Sequence, residues 1–218
     1  MMPKKNCMPH CLSRGQTRGA LAGPSLASGV KCATVARTIP NASRMSGKRA
    51  GGNDEACLRI GSVNVGSMTK RTGEVVDMAA RRRLDFCCLQ ETRWKGGSVR
   101  TFGTEGARFK FFWIGGEDGL AGVGVLVAEK WVKKVIEVKR VSERIIVLRV
   151  CIGTCVVNIM SVYAPQTGRP VEEKEEFYGL LGKVLSGVET NERLFVCGDM
   201  NGHVRAGADG FNGVHGGY

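Results

Sequence analysis

The sequence predicts an α/β protein in which strands outnumber helices and form mixed β-sheets. Its 218 residues, 43% hydrophobic and 24% charged, are enough for one domain with its own core. Short segments rich in Val, Ile and Phe recur between glycines, and one longer segment repeats its apolar residues with helical spacing. Links as short as Gly153-Thr154 indicate hairpins, so antiparallel pairs are expected beside parallel ones.

Eight segments have the length and composition of strands. Their β-branched and aromatic residues suit a pleated, half-buried surface. The predicted strands span residues 59–65, 85–90, 109–114, 122–128, 132–138, 144–151, 155–163 and 193–198. The glycine-rich stretch from Gly202 to Tyr218 predicts a loop.

Two segments fit helices. Thr72 is a candidate N-cap of a helix that extends to about Arg83. A second helix is predicted over 171–188, where an apolar stripe recurs at intervals of three and four residues. The stripe consists of Phe177, Leu180, Leu181, Val184, Leu185 and Val188. Its first turns carry glutamates that suit the positive end of a helix dipole and predict a solvated helix start rather than a metal site. They are Glu172, Glu173, Glu175 and Glu176.

Residues 1–56 differ in composition from the rest of the chain. They hold nine Lys and Arg and no acidic residue before Asp54, so they carry much of the net charge of +12. Scattered prolines and few aromatic residues predict a disordered segment. Such a segment could attract nucleic acid, serve as a mitochondrial transit peptide or have no specific role, and the sequence leaves all three open. The folded domain is expected to span 57–218.

Composition favours a location inside the cell. No apolar run approaches the roughly 18 residues of a membrane span, and the N-terminus lacks the apolar core of a secretory signal. At least one of the nine cysteines must stay unpaired, and Cys87 and Cys88 lie in an apolar strand, which favours a reducing compartment. We expect the nucleus, with mitochondria and cytoplasm as alternatives. The sequence does not predict an oligomeric state.

Polar side chains follow three of the predicted strands at the point where each strand ends. Asn64, Glu91 and the pair Asp199 and Asn201 each lie within a few residues of the end of an apolar run. Because side chains alternate along an extended backbone, Asp199 and Asn201 can point to the same side. One polar strand end is most simply a solvated one. Three ends with different polar groups predict a site at one edge of a sheet.

Four motifs, in this order, resemble those of the endonuclease/exonuclease/phosphatase superfamily. They are Ser62-Val63-Asn64-Val65, Leu89-Gln90-Glu91-Thr92-Arg93, Ser161-Val162-Tyr163-Ala164-Pro165 and Gly198-Asp199-Met200-Asn201-Gly202. The resemblance covers about residues 58–218. It is most specific to the apurinic-like endonuclease domain of RTE-type LINE retrotransposons and to vertebrate proteins named craniofacial development protein 2-like. The segments 66–69, 76–79 and 211–218 carry this narrower resemblance.

This resemblance implies a four-layer sandwich of two mixed β-sheets flanked by helices, and cleavage of DNA phosphodiesters with Mg²⁺ or Mn²⁺. Glu91 would be the metal ligand, since one carboxylate can anchor a hard cation that keeps its waters. Asn64 would orient the metal shell or the phosphate. Tyr163 would donate a proton to a phosphate oxygen, Asp199 would activate the attacking water, and Asn201 would bind the phosphate as negative charge builds up.

Three residues beside the motifs, Arg93, Gln166 and Arg169, are candidate contacts to the DNA backbone. Each of these assignments has a simpler alternative. Glu91 could form an ordinary ion pair with Arg93 or Arg59, and Arg169 could merely belong to the start of the next helix. The asparagines of the motifs suit turns without any ligand.

The last part of the family pattern has no counterpart in this sequence. Family members carry a further strand that ends in an Asp-His pair, and no segment after Asn201 matches it. His215 follows too closely and lacks a preceding Asp. Because the members of a catalytic group are strongly non-additive and missing strands expose sheet edges, we expect a C-terminally shortened copy with low stability and weak or no turnover.

Three functions are compatible with these motifs. The first is a metal-dependent DNA endonuclease of retrotransposon origin. The second is a non-catalytic remnant that binds nucleic acid or a protein partner. The third is a phosphatase or phosphodiesterase of the same superfamily that acts on small phosphate esters or lipids. The retrotransposon-like segments around Met68 and Gly213 favour the first over the third.

Overall fold

The computed structural model of the protein describes residues 32–39, 56–104 and 106–202. Its strands are β1 (Cys32–Ile39), β2 (Ala56–Asn64), β3 (Phe86–Gln90), β4 (Gly96–Phe102), β5 (Phe109–Gly115), β6 (Val123–Ala128), β7 (Val135–Ser142), β8 (Ile145–Ile152), β9 (Cys155–Tyr163) and β10 (Arg193–Asp199). Its helices are α1 (Thr72–Arg81), α2 (Glu129–Val132) and α3 (Val171–Ser186). Within the described ranges, no helix has the length and apolar character needed to cross a membrane.

Both sheets are mixed, as the sequence predicts. Six strands form one sheet in the order β1-β2-β3-β6-β5-β4, and four form the other in the order β10-β9-β8-β7. The pairs β2–β3 and β9–β10 are parallel. Neighbouring parallel strands bring their carboxyl ends to the same edge of a sheet. Asn64 is accordingly in register with Gln90, and Asp199 with Tyr163.

Three apolar clusters separate four layers. Between the sheets, Phe86 of the six-stranded sheet and Ile159 of the four-stranded sheet belong to one cluster, and both are fully buried. Met78 of α1 packs on the outer face of the six-stranded sheet. Phe177 and Leu181 of α3 pack on the outer face of the four-stranded sheet. The order helix, sheet, sheet, helix confirms the predicted four-layer α/β sandwich.

The structure adds two strands to the predicted set. β1 lies in the segment 1–56, for which the sequence predicts disorder. The structure differs from this prediction at residues 32–39, which form a strand paired antiparallel with β2. Val35 and Ile39 favour a strand locally, but the composition of the whole segment hides this preference. The remainder of that segment up to residue 55 lies outside the described residues. β4 escapes prediction because its glycines and exposed polar residues carry little apolar signal.

The predicted helices are present with shorter bounds. α1 begins at Thr72, but Arg71 occupies the N-cap position and no side chain caps it. The Thr72 hydroxyl donates instead to the carbonyl oxygen of Met68 over 3.0 Å, so the prediction of Thr72 as the N-cap is wrong. The strand predicted over 132–138 begins only at Val135, because the preceding residues form the short helix α2.

The apolar stripe of α3 is buried mainly on its N-terminal side. Phe177 and Leu181 are buried, whereas Leu185 is 39% exposed. Leu180 and Val184 pack at the margin of the same cluster. The stripe therefore fixes the first turns of α3 on the sheet, and these turns lie next to the end of β9.

A buried polar contact joins the two sheets just before the strand ends. Gln90 Nε2 donates to Ser161 Oγ over 3.0 Å, and Ser161 Oγ donates to the carbonyl oxygen of Leu89 over 3.1 Å. Ser62 Oγ completes the group by donating to Gln90 Oε1 over 3.3 Å. Because buried polar groups destabilise a fold unless they are paired, this contact favours one register of β3 against β9. It thereby fixes the position of Glu91, the next residue along the chain.

Candidate active site

Four side chains from four strand ends meet at one edge of the sandwich. Asn64 ends β2, Glu91 follows β3, Tyr163 ends β9 and Asp199 ends β10. Asn64 Nδ2 donates to Glu91 Oε1 over 2.8 Å and to Asp199 Oδ2 over 3.1 Å. The Tyr163 hydroxyl donates to Glu91 Oε1 over 2.9 Å. Since two of these residues come from each sheet, the group, hereafter the strand-end group, links the sheets.

The other predicted site residues lie around the strand-end group. The Asn201 backbone N–H donates to Asp199 Oδ1 over 3.0 Å, while its side-chain amide donates to the carbonyl oxygen of Ala164 over 2.6 Å. Gln166 Nε2 donates to the Tyr163 hydroxyl over 3.4 Å. The bond from Asn201 to Ala164 holds the loop after β10 against the loop after β9.

The two predicted arginines take different partners. Arg93 Nη2 lies 3.5 Å from Glu91 Oε2, and the Arg93 side chain is 52% exposed, so this is a loose ion pair at the rim. Arg169 Nε lies 2.7 Å from Glu173 Oε2 on α3. The simpler alternative for Glu91, an ion pair with Arg93, is therefore present beside its bonds to Asn64 and Tyr163.

Backbone strain concentrates at this edge. Of the five non-glycine residues with positive φ in the described ranges, three lie here: Glu91 at 53°, Arg93 at 54° and Asn201 at 45°. A left-handed backbone costs a residue with a Cβ of order 1 kcal/mol, least for asparagine. Such outliers persist where the surrounding structure imposes them, and they cluster at functional sites.

A cavity of about 410 Å³ opens beside Glu91 and Tyr163 and extends toward α3. Its apolar wall includes Leu120, Phe177 and Leu180. Three arginines and five acidic residues line it, so its formal charge is negative although the chain as a whole carries +12. The arginines are Arg93, Arg144 and Arg169, and the acidic residues are Glu91, Asp118, Glu143, Glu173 and Glu176.

The Tyr163 hydroxyl is protonated at neutral pH. Burial, together with the hydrogen bond to Glu91 and the negative charge of that residue, raises the pKa of Tyr163 to about 12. The phenol can therefore donate a hydrogen bond to an anionic oxygen, and in this structure it donates one to Glu91.

The donor set of the strand-end group suits a hard divalent cation. Glu91 and Asp199 offer carboxylate oxygens on either side of Asn64 Nδ2. In the described part of the chain, no three His, Cys, Asp or Glu side chains are arranged so that together they could hold a metal ion. Mg²⁺ keeps several waters and is commonly held by one or two carboxylates, so it does not require such a cluster. Glu91 would suffice to hold a partly hydrated ion, while Asp199 can accept a hydrogen bond from a water.

Sequence reasoning misses two residues at the site, Arg144 and Glu173. The Arg144 guanidinium lies 5.2 Å from the centre of the Tyr163 ring, and its Nη2 lies 2.7 Å from Glu173 Oε1. Glu173 belongs to the glutamates predicted to form a solvated helix start, but it pairs with Arg144 and Arg169. An arginine in a hairpin turn and a glutamate in a first helical turn are common, so no local signal marks either residue.

Comparison with solved structures gives relatives of low identity. An AP endonuclease from Archaeoglobus fulgidus is 22% identical, with 66% of this chain and 57% of that chain covered and a TM-score of 0.45. The 3′–5′ exonuclease NExo from Neisseria meningitidis is 20% identical, with 63% and 56% covered and a TM-score of 0.46. The endonuclease domain of TRAS1, a telomere-specific non-LTR retrotransposon, is 19% identical, with 66% and 60% covered and a TM-score of 0.46. This chain therefore spans less than two thirds of each of these structures.

Comparison with family models gives the assignment. No match was found among curated proteins. The model of the Endonuclease/Exonuclease/phosphatase family matches residues 61–211, which is well over half of the chain and includes the whole strand-end group. The protein belongs to the endonuclease/exonuclease/phosphatase family.

Proposed function

We propose that this protein is a metal-dependent phosphodiesterase that cleaves DNA, an endonuclease of retrotransposon origin. The observation that carries the proposal is the strand-end group, in which Asn64 bridges Glu91 and Asp199 while Tyr163 bonds to Glu91. This arrangement gives a carboxylate for a metal, a second carboxylate for a water and a protonated phenol for a phosphate. The retrotransposon origin rests on the narrower sequence resemblance.

Each residue has a distinct task in this proposal. The family typically uses Mg²⁺, which when bound offsets the negative charge of the substrate phosphate. Glu91 would hold the ion, and Asn64 keeps Glu91 Oε1 and Asp199 Oδ2 at a fixed separation. Asp199 accepts a hydrogen bond from the attacking water, orients it and takes its proton. Tyr163 donates its hydroxyl hydrogen bond to a phosphate oxygen.

DNA as the substrate is supported by charge. The net charge of +12 attracts a polyanion, and arginines at the cavity suit phosphate groups. A structure of the Neisseria 3′ phosphatase NExo was solved with a product DNA hairpin. Arg93, Gln166 and Arg169 border the strand-end group and would contact the backbone on either side of the cleaved bond. A nuclear location is part of the same proposal.

Metal removal provides the direct test. The full chain is expected to turn over weakly, but it should convert supercoiled plasmid to the nicked form in Mg²⁺ or Mn²⁺, and EDTA should stop the reaction. A Glu91→Ala protein purified in the same way controls for contaminating nucleases. Nicking that persists in EDTA, or equally in the variant, would contradict the proposal.

A second candidate function is that of a non-catalytic protein that binds nucleic acid. The excess of carboxylates over arginines in the cavity disfavours a phosphate at the catalytic position, so in this alternative DNA binds elsewhere on the chain, whose net charge is +12. Binding of DNA without nicking in either metal would select this function. Release of phosphate from small esters, without nicking, would instead select a phosphatase.

Tyr163→Phe should slow nicking by about 10- to 100-fold, because a hydrogen bond to a charged group contributes roughly 1.5–3 kcal/mol. In the metal-free protein, where the pKa of Tyr163 is raised to about 12, this tyrosine should remain protonated near pH 10. Titration of tyrosinate absorbance checks the pKa, because Tyr163→Phe should remove the transition at highest pH. A variant rate equal to that of the wild type would remove Tyr163 from the mechanism.

Tyr163 also links folding to alkaline pH. A tyrosine whose pKa is raised in the folded protein stabilises it fully below pH 10, and this contribution is lost as pH rises toward 12. Thermal melts over that range should therefore fall more steeply for the wild type than for Tyr163→Phe.

A further inference from the structure

We infer that Glu173 restrains Arg144 and Arg169 in the free protein, and that a DNA phosphate next to the cleaved one displaces Glu173 from both arginines. The inference rests on the proposed function and deepens it. It names a second phosphate site, and it assigns to Glu173 the role of a competitor that lowers DNA affinity. Neither Arg144 nor Glu173 belongs to the motifs that define the strand-end group.

The geometry around Glu173 is that of a doubly occupied carboxylate. Arg144 Nη2 lies 2.7 Å from Oε1, and Arg169 Nε lies 2.7 Å from Oε2. The two guanidinium groups thus approach one anion from two directions, as they would approach two oxygens of a phosphate. Although burial alone would raise it, the hydrogen bond from Arg169 and the charge of Arg144 hold the pKa of Glu173 below its ordinary value. Glu173 is therefore ionised at neutral pH.

Arg144 connects this carboxylate to the strand-end group. Its side chain is only 15% exposed, its guanidinium stacks at 5.2 Å on the Tyr163 ring, and its Nη1 donates to the Tyr163 carbonyl oxygen over 3.4 Å. The same tyrosine bonds to Glu91 through its hydroxyl. A phosphate held by Arg144 would thus lie one side chain away from the phosphate at Glu91, as expected for neighbours along one strand.

Exposure decides which partner can leave. Arg169 is 50% exposed and the Glu173 side chain is 24% exposed, so water and an incoming phosphate can reach their contact. Partly exposed ion pairs contribute little to stability. A DNA backbone segment that brings two phosphates can therefore replace Glu173 as the partner of Arg169. The cavity has more carboxylates than arginines, and an ionised Glu173 repels a phosphate that enters beside it. Displacement of Glu173 is therefore needed before the phosphate can bind, and this requirement lowers the affinity for DNA.

Glu173→Gln is the informative variant, and Glu176→Gln is its matched control. Both glutamates line the cavity on α3, but no ion pair of Glu176 is present in the described part of the chain. Binding of a short fluorescent duplex is measured by anisotropy in EDTA, which prevents turnover, at several salt concentrations. Glu173→Gln should tighten binding about 3- to 5-fold, as expected for removal of a partly exposed pairing partner. Glu176→Gln should change binding less than half as much.

Arginine variants test the second half of the inference. Arg144→Gln and Arg169→Gln should each weaken binding and reduce the slope of log affinity against log salt by about 0.9, the value for one lost phosphate contact. Arg108→Gln is the control, because Arg108 forms an ion pair of the same kind with Glu129 away from the cavity. Its slope should match that of the wild type.

Unchanged or weaker binding by Glu173→Gln would overturn the inference, and so would equal tightening by Glu176→Gln. If Glu173→Gln proves too unstable to assay, the Arg169→Gln slope decides, because Arg169 is half exposed and its replacement spares the core. The outcome is separable from that of the proposed function. If the wild type nicks plasmid while Glu173→Gln binds DNA no tighter, the proposed function stands and the inference is rejected. If Glu173→Gln binds DNA tighter but the wild type does not nick plasmid, the inference stands and the nuclease function is rejected.

Discussion

Alanine at Glu91 or at Asp199 should reduce metal-dependent plasmid nicking by at least about 10³-fold, the usual loss when one member of a catalytic group is removed. Glu91→Ala removes the carboxylate proposed to hold the metal and the acceptor of both Asn64 and Tyr163. Asp199→Ala removes the group proposed to take the proton of the attacking water. Because both losses fall on the same step, the double variant should be little worse than either single one.

The matched control is Asp118→Ala. Asp118 also lines the cavity, but it is exposed and its carboxylate accepts a hydrogen bond from the backbone of Leu120. Its loss should leave the nicking rate within about 3-fold, as for a surface substitution. Circular dichroism and melting curves should show folded protein in every variant. Equal nicking by the wild type and both site variants would show that the strand-end group is not catalytic.

Much of the sandwich is predictable because its signals are local. The eight predicted strands are rich in Val, Ile and Phe, and each has a counterpart in the structure. What local signals do not give is pairing. The parallel partners β2 and β3 are separated in sequence by α1, and only the sheet order shows that Asn64 lies beside Gln90. The sequence signals of β1 and β4 are weaker. These two edge strands depend on pairing with a neighbouring strand rather than on an apolar composition of their own.

The site divides in the same way. Asn64, Glu91, Tyr163 and Asp199 each end or follow a predicted strand, so the positions of the apolar runs are enough to predict their convergence at one edge. The bonds of Asn64 Nδ2 to two carboxylates could not be predicted, because they depend on how far apart the two sheets lie. The ion pairs of Glu173 are hidden for a similar reason, since its partners come from a hairpin and a loop rather than from α3 itself.

Asp85→Ala should lower the free energy of unfolding by about 2–4 kcal/mol, because two donors would each lose a buried carboxylate acceptor at roughly 1–3 kcal/mol. Asp85 is buried at the start of β3, where Oδ2 accepts the backbone N–H of Arg59 over 2.8 Å and Oδ1 accepts Trp131 Nε1 over 2.8 Å. The carboxylate thus ties β3 to β2 and to α2. Urea unfolding followed by tryptophan fluorescence would measure the change.

Lys130 separates the ionic part of this effect from the hydrogen-bonded part. Its Nζ lies 2.6 Å from Asp85 Oδ1, but its side chain is 68% exposed. Lys130→Ala should therefore cost less than about 1 kcal/mol, as for most surface ion pairs. Asp85→Asn should fall between the two, because it keeps one oxygen acceptor but turns an amide NH₂ toward a donor. Equal losses for Lys130→Ala and Asp85→Ala would mean that charge, and not the two buried acceptors, makes Asp85 stabilise the start of β3.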